Sequence, residues 1–299
     1  MLDALTFLES QAITLIREAY FQCKNPCILF SGGKDSLCLV HLAKKAFYPE
    51  PIPFSLLHID TGHNFPETLD FRDQLVADLQ LNLQVQSVVD TLTQKNIPDV
   101  QGKFPSRNAL QSIALLEAIS VNAFDACLGG GRRDEEKARA KERLFSFRDQ
   151  KGGWNPLNQR PEPWDLVNGL LSSGENIRVF PLSNWTELDV WEYIRREKLA
   201  LPSLYFSHSR LCIHLLGGAL MAVNPYLQID ATDTLVEKKV RFRTIGDMTC
   251  TAAVESDAED IDAVIEELKH SMVSERGATR LDDQISEAGM EDRKINGYF

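Results

Sequence analysis

Apolar positions in the first half of the chain switch repeatedly between two periods. Leu5, Leu8, Ala12, Leu15, Ile16 and Ala19 recur at helical spacing, and the run 27–30 is short, apolar and suited to a buried strand. The alternation continues with a helix over 36–47, a strand over 54–59 and a helix opened by Pro66 that carries Leu69, Leu75, Val76 and Leu79. A strand from Leu83 to Val89, a helix from Asn108 to Asn122 and a short strand at 126–128 complete the series. Such alternation predicts an α/β fold with a doubly wound, mostly parallel sheet and helices on both faces. Residues 149–176 lose the periodicity and read as an ordered loop, after which 177–182 returns to strand. Thr186 to Asp189 opens a further helix with a capping-box pattern. A last helix, capped within Ser256–Glu259, places Ile261, Val264, Ile265 and Leu268 on one face. The expected organisation is a main domain over 1–200 and an irregular or helical C-terminal extension over 201–299, with a polar tail at 274–299.

Composition narrows what this fold can serve. The chain has 299 residues, 43% of them hydrophobic and 25% charged, which suits one large globular body or a domain with an appendage. No apolar run approaches the roughly 20 residues that a membrane helix requires, and the acidic start lacks the basic region of a signal peptide. Six cysteines, at 23, 27, 38, 127, 212 and 250, are scattered without a Cys-x-x-Cys pair, the usage of reduced thiols in a cytoplasmic protein. A net charge of −11 argues against a polynucleotide partner, whose affinity rests on phosphate neutralisation. A small anion needs only a local basic pocket.

Three loops, each trailing a predicted strand, carry the unusual chemistry, and open α/β sheets bind ligands at those strand ends. The first is Ser31-Gly32-Gly33-Lys34-Asp35-Ser36, running from strand straight into helix. Its glycines let successive N–H groups converge at the positive end of a helix dipole, and Lys34 adds a point charge. This is a phosphate cradle, and Asp35 after the lysine separates it from the Walker type. The second loop, His58-Ile59-Asp60-Thr61 continuing to Glu67, is dense in turn-forming polar residues. Its two histidines and two carboxylates lack the spacing of a zinc set, so no metal ligands are assigned. The third is Gly129-Gly130-Gly131-Arg132-Arg133, where glycines admit a ligand close to the backbone and paired arginines suit forked binding of an oxyanion. Beyond it, the charged run to Arg143 also fits a solvated helix with pairs such as Glu135–Arg139.

Together these loops resemble the small catalytic subunits of two-subunit sulfate adenylyltransferases. Those belong to the ATP pyrophosphatase superfamily, with adenylyl-sulfate and phosphoadenylyl-sulfate reductases. The likeness is carried by Gly-Lys-Asp-Ser at 33–36, Gly-Arg-Arg-Asp-Glu-Glu-Lys at 131–137 and Arg-Ala-Lys-Glu-Arg at 139–143. It extends through Asn-Gln-Arg-Pro-Glu at 158–162, 177–187, Val-Arg-Phe-Arg-Thr at 240–244, Ser-Glu-Arg at 274–276 and the closing Gly-Tyr-Phe. Gly32 and His63-Asn64 depart from that pattern toward the reductase branch. The resemblance implies a cytoplasmic enzyme of sulfate assimilation and cysteine biosynthesis that makes adenylyl sulfate and pyrophosphate from ATP and sulfate. Mg2+ would accompany ATP, and a separate GTPase large subunit would drive the uphill reaction. It further implies that Ser31, Gly32, Gly33, Lys34, Asp35, Ser36, His58, Ile59, Asp60, Thr61, Gly129 and Gly130 hold ATP. Lys34, Asp35, Arg132 and Arg133 would be catalytic, with Arg132, Arg133, Arg241 and Arg243 as sulfate candidates. Residues 201–299 would then complete the active site and contact the partner.

Two other readings compete. A thiol-dependent adenylyl-sulfate reductase needs a cysteine nucleophile near the C-terminus, and none lies beyond Cys250. A non-catalytic adenine-nucleotide sensor would use the same loops without turnover.

Overall fold

The computed structural model describes residues 3–135, 139–215, 218–271 and Glu275. Six strands form the main sheet: β1 (Pro26–Leu29), β2 (Ser55–Asp60), β3 (Leu83–Ser87), β4 (Ala126–Leu128), β5 (Phe145–Arg148) and β6 (Asn176–Val179). Their order is β3-β2-β1-β4-β6-β5, parallel throughout except for the edge strand β5, which runs antiparallel to β6. The chain leaves β1 toward β2 and β3 on one side and later returns to its other side as β4. The β1/β4 border is therefore the topological switch point, where a crevice opens beyond the strand ends.

Seven helices are described: α1 (Ala4–Gln22), α2 (Lys34–Phe47), α3 (Pro66–Asp78), α4 (Val88–Lys95), α5 (Gln111–Val121), α6 (Glu187–Glu197) and α7 (Ile261–Lys269). The largest core cluster packs α1, α2 and α6 against one face of the sheet through Ile16, Leu39, Leu42, Leu128 and Tyr193. On the opposite face, Leu115, Ala118 and Ile119 of α5 meet Cys27, Leu57 and Cys127. Both faces are thus covered, as the sequence pattern predicts. Pro66 takes the first turn of α3, where its missing N–H costs nothing. Thr186 and Asp189 close a reciprocal capping box on α6.

Some expectations are corrected. The strand expected to reach Val89 stops at Ser87, whose hydroxyl accepts from Asp90 N–H and starts α4 there. The antiparallel edge strand β5 was not anticipated. The extension is not merely irregular and helical: β7 (His208–His214), β8 (Leu220–Ala222), β9 (Leu235–Arg241) and β10 (Ala252–Glu255) close a small antiparallel barrel in the order β10-β8-β7-β9. Its α7 is present as expected, although its cap is Asp260, which accepts from Ala263 N–H. The polar tail expected over 274–299 lies outside the described residues except for Glu275.

The barrel is fastened to the sheet domain at the cradle itself. Phe65, Trp191, Tyr205 and Phe242 share one buried cluster, and the Tyr205 hydroxyl accepts from Lys34 N–H at 2.7 Å. Removing that acceptor strands a buried N–H, a loss of about 1–3 kcal/mol. Tyr205→Phe should therefore lower the unfolding free energy by that amount in urea denaturation, with an unchanged far-ultraviolet spectrum.

Candidate active site

The cavity at the switch point encloses about 220 Å³ and is lined by all three loops and by the barrel. The 31–36 loop forms its floor. Gly33 caps α2 in an extended conformation, so the helix begins at Lys34 with its N–H groups turned toward the crevice. Ser31 Oγ accepts from Gly33 N–H at 3.3 Å, and Ser36 Oγ donates to Gly33 O at 2.9 Å. Gly32 holds φ at +78°, and a Cβ there would lie 2.6 Å from Thr68 Cγ2. A side chain here would need both a left-handed backbone and a shift of Thr68, although Gly32 itself does not line the cavity.

The loop after β4 lies directly against this turn. A Cβ on Gly130 would stand 2.9 Å from Asp35 Cβ and 3.2 Å from Ser36 N, so only glycine permits the approach. Gly130 and Gly131 line the cavity, whereas Gly129 extends the strand by donating to Val179 O at 2.8 Å. Lys34 and Arg132, each 1% exposed, then converge from the two loops on one carboxylate. Lys34 Nζ donates to one oxygen of Glu275 and Arg132 Nη2 to the other. Asp35 bridges the same pair, accepting from Lys34 Nζ at 3.0 Å and from Arg132 Nη1. Asp134 accepts from Arg132 Nε at 3.0 Å.

Burial works against these charges and their mutual attraction overcomes it. Burial pushes the Glu275 carboxyl up, but Lys34 and Arg132 outweigh that and hold it below the ordinary carboxylate range. Burial likewise pushes Arg132 down, and Glu275, Glu135 and Asp134 raise it beyond its usual value. Asp35, Asp134 and Glu275 thus surround Lys34 and Arg132, while Glu135 accepts from Arg132 N–H at 3.1 Å and pairs with Arg139. Among the described residues, no group of three or more His, Cys, Asp or Glu side chains is arranged to hold a metal by itself.

The loop after β2 forms a wall. His58 is 1% exposed and lines the cavity, its Nδ1 2.8 Å from Phe30 O. That contact requires a proton on Nδ1 and leaves the buried, unpartnered Nε2 as an acceptor in the neutral ring. Burial lowers the His58 pKa and keeps the ring neutral. Ile59 also lines the cavity, but Asp60 and Thr61 do not. Asp60 accepts from Gly62 N–H at 2.7 Å, and Thr61 Oγ1 donates to Asp247 Oδ1 at 2.7 Å. Those two residues build the turn instead of contacting its contents.

None of the four expected arginines lines the cavity: Arg132 is buried behind it against Asp35, Asp134 and Glu275, and the other three lie elsewhere. Arg133 donates to Asn184 Oδ1 and is absent from the cavity lining. Arg243 forks onto Glu187, with Nη2 to Oε2 at 2.6 Å, and Arg241 donates to Glu267 at 2.7 Å. Both arginines line a separate pocket beside the end of α7, where strand β9 and the turn after it carry them. Conversely, the cavity contains residues that the loops alone do not reveal. Thr244 to Asp247, Tyr205, Arg139 and Glu275 line it from the barrel side or from beyond the third loop. The Ser-Glu-Arg motif marks Glu275 as notable without placing it. Residues 136–138 of the third loop lie outside the described residues, and Arg139 begins a short 3-10 turn where a solvated helix was the alternative.

A family model described as the phosphoadenosine phosphosulfate reductase domain matches residues 25–253. The chain is 54% identical over 298 residues to "Sulfate adenylyltransferase subunit 2" of Mycolicibacterium gilvum, covering 100% of this chain and 95% of that one. It is 52% identical over 301 residues to the protein of the same name from Streptomyces lavendulae, covering 100% and 92%. A solved phosphoadenylyl-sulfate reductase from Candida auris matches with a TM-score of 0.45 at 19% identity, over 68% of this chain and 91% of that one. By the family model and by identity along its whole length, the chain belongs to the phosphoadenosine phosphosulfate reductase domain family, in its sulfate adenylyltransferase subunit 2 branch.

Proposed function

We propose that the chain transfers the adenylyl group of ATP to sulfate, giving adenylyl sulfate and pyrophosphate. The observation that carries this reading is the seat formed by Lys34 and Arg132, two buried cations gripping a single carboxylate. The Glu275 carboxylate stands there for a substrate oxyanion. Sulfate is already a dianion at neutral pH and has no proton to lose, so no general base is needed. The difficulty is bringing it to a charged α-phosphorus, and fixed cations with oriented N–H groups address that. A sulfate oxygen bonds to the α-phosphorus as the bond to the β-phosphate oxygen breaks, and pyrophosphate leaves into the 31–36 cradle. Arg132 offsets charge on the reacting centre and Lys34 holds the leaving phosphates. Mg2+ enters with ATP as part of the substrate. His58 Nε2 accepts from the exocyclic amino group of adenine.

The reductase reading is disfavoured at the site as well as in the sequence. All six cysteines are buried outside any disulfide, and none lines the cavity. These thiols also support a cytoplasmic setting, and no described helix is long and apolar enough to cross a membrane. A relative named "subunit 2" implies a companion subunit. Because the mixed anhydride is high in energy and this chain lacks a Walker-type loop, we assign that companion the role of a coupled GTPase.

Sulfate-dependent exchange of pyrophosphate into ATP, measured with and without a GTPase subunit, tests the reaction. Exchange that ignores sulfate would leave a nucleotide-binding protein without this chemistry. Lys34→Ala should lower the exchange rate about 100- to 1,000-fold, the usual loss of one fixed electrostatic contact. Arg132→Lys should raise the KM for sulfate more than that for ATP, because a planar fork becomes a point charge. Equal effects on both substrates would return Arg132 to the nucleotide alone.

The pH dependence follows from His58. Its folded pKa lies below the unfolded value of about 6.5, so the acceptor lone pair persists as pH falls through that range. The KM for ATP should stay flat from pH 8 to 6.5 and rise only below, where Nε2 gains a proton. A rise centred at or above 6.5 would remove His58 from base recognition.

A further inference from the structure

Four neighbouring strands place an unusual row of side chains on the α5 face of the main sheet. Register pairs Cys27 of β1 with Cys127 of β4, Cys127 with Arg178 of β6, and Arg178 with Ser146 of β5. Paired residues share a face, so these side chains run side by side across the sheet. All four are 0% exposed. Leu115, Ala118 and Ile119 of α5 close over the two cysteines.

The two thiols touch, with Cys27 S–H donating to Cys127 Sγ at 3.6 Å. On the other side of Cys127 stands a cation that its surroundings do not satisfy. Arg178 Nη1 donates to Asn176 Oδ1 at 2.7 Å, but its Nε and Nη2 are buried with no hydrogen-bond partner among the described residues. The nearby carboxylates are engaged elsewhere. Glu142 accepts from Arg148 and Arg139, and Asp125 accepts from the N–H groups of Lys24 and Asn25. A buried cation calls for a counter-charge, and the Cys127 thiolate is the group placed to supply it.

The pair also differs from the other cysteines. The Cys27 S–H lowers the Cys127 pKa, burial opposes it and Arg178 lowers it further, which leaves Cys127 below the usual thiol value. Burial raises Cys27, and it pushes Cys23 up to about 12 and raises Cys38 and Cys212 as well. A thiolate nucleophile in contact with a protonated second thiol is the arrangement of a redox-active dithiol.

We propose that Cys27 and Cys127 are a peroxide-oxidised dithiol, and that the disulfide between them reversibly shuts down adenylyl transfer. The sulfur chemistry stands apart from the function proposed above, and only its effect on activity rests on that reading. Cys127 Sγ attacks one oxygen of hydrogen peroxide, the O–O bond breaks, and the departing oxygen leaves as water with the thiol proton. The resulting sulfenic acid is attacked by Cys27 Sγ, the S–O bond breaks, and a second water leaves with the Cys27 proton. In sum, two thiols and one peroxide give one disulfide and two waters. Because both sulfurs are buried, reaction waits on local opening, which selects a reagent little larger than water over a bulky disulfide.

The bond would act on the site through the strands that carry it. Neighbouring strands stand about 4.8 Å apart, whereas a disulfide holds its Cβ atoms about 3.8 Å apart, so β1 and β4 must move. Their ends bear the Lys34 and Arg132 loops, and the contact of Gly130 with Asp35 leaves no slack between those loops.

The test treats the full chain with hydrogen peroxide, blocks remaining thiols under denaturing conditions and maps the peptides without reduction. A Cys27–Cys127 linked peptide should dominate, and the sulfate-dependent exchange rate should fall at least about tenfold, since a misplacement near 1 Å can cost about 100-fold. Dithiothreitol should restore both. Arg178→Met should slow the linkage at least about tenfold, the effect of one pKa unit on the thiolate fraction. Cys27→Ala/Cys127→Ala should keep exchange within about twofold of wild type before peroxide and hold it afterwards, because the pair lies outside the cavity. Absence of the linked peptide, or its formation at the wild-type rate in Arg178→Met, overturns the dithiol. Full exchange by the linked protein, or equal inactivation of the double alanine variant, overturns the switch. A reduced wild-type chain that shows no exchange fails the proposed function instead, and the peptide map still decides the dithiol.

Discussion

The site depends on two cations buried at the same point from opposite sides of a crevice. Lys34 arrives on the first turn of α2 after β1, and Arg132 on the loop after β4. Such charges are stable out of water only when counter-charges and hydrogen bonds complete them. Asp35, Asp134 and Glu275 do so here. Each cation alone would be an expensive burial. Held together by shared carboxylates, they form the oxyanion seat proposed above, fixed before any ligand arrives, and that preorganisation is what group-transfer chemistry needs.

Everything around the seat keeps the two loops close. Parallel pairing sets Cys27 beside Cys127 and Ile28 beside Leu128, so the two strand ends stand level. Gly130 then lets the second loop rest on the backbone of the first. From the barrel, Tyr205 accepts from Lys34 N–H, and the isolated bridge between Asn64 and Asp247 ties the β2 loop to the turn after β9. The barrel is therefore a wall of the site as well as an appendage. It supplies that wall with the turn after β9, Thr244 to Asp247, and not with its strands.

What could be read from sequence follows from how local each signal is. The cradle at 31–36 was legible because strand, glycine turn and helix are contiguous, and each constrains the next. The capping box at Thr186 and the proline opening α3 are equally local. The barrel strands were not legible. Leu235–Arg241 breaks the strand period with the charged run Glu237-Lys238-Lys239, and the three-residue strand at Leu220–Ala222 is too short to show one. Glu275 reaches Lys34 across 241 positions, and no local pattern encodes such a pairing. The arginines show the limit of composition: Arg132, Arg133, Arg241 and Arg243 look alike as residues, and only their neighbours separate a cation in the seat from one held by Asn184, Glu267 or Glu187.

That separation bears on why an arginine follows Arg132 at all. A second guanidinium inside the crevice would have needed its own counter-charge, because Asp35, Asp134 and Glu275 are already engaged by Lys34 and Arg132. Turned outward, Arg133 instead anchors its loop twice, by its own N–H to Ser183 O at 3.0 Å and by its side chain to Asn184. Both anchors lie in the segment between β6 and α6, the element whose first turn also receives Asp134: Glu187 N–H donates to Asp134 Oδ2 at 2.8 Å. Arg132 is thus gripped inside the crevice by Asp35 and Glu275 while its neighbours on the loop are gripped outside it. Because Arg132 and Arg133 are consecutive, the loop is pinned on both sides at one point, which leaves the Arg132 side chain a single position against Asp35 and Glu275.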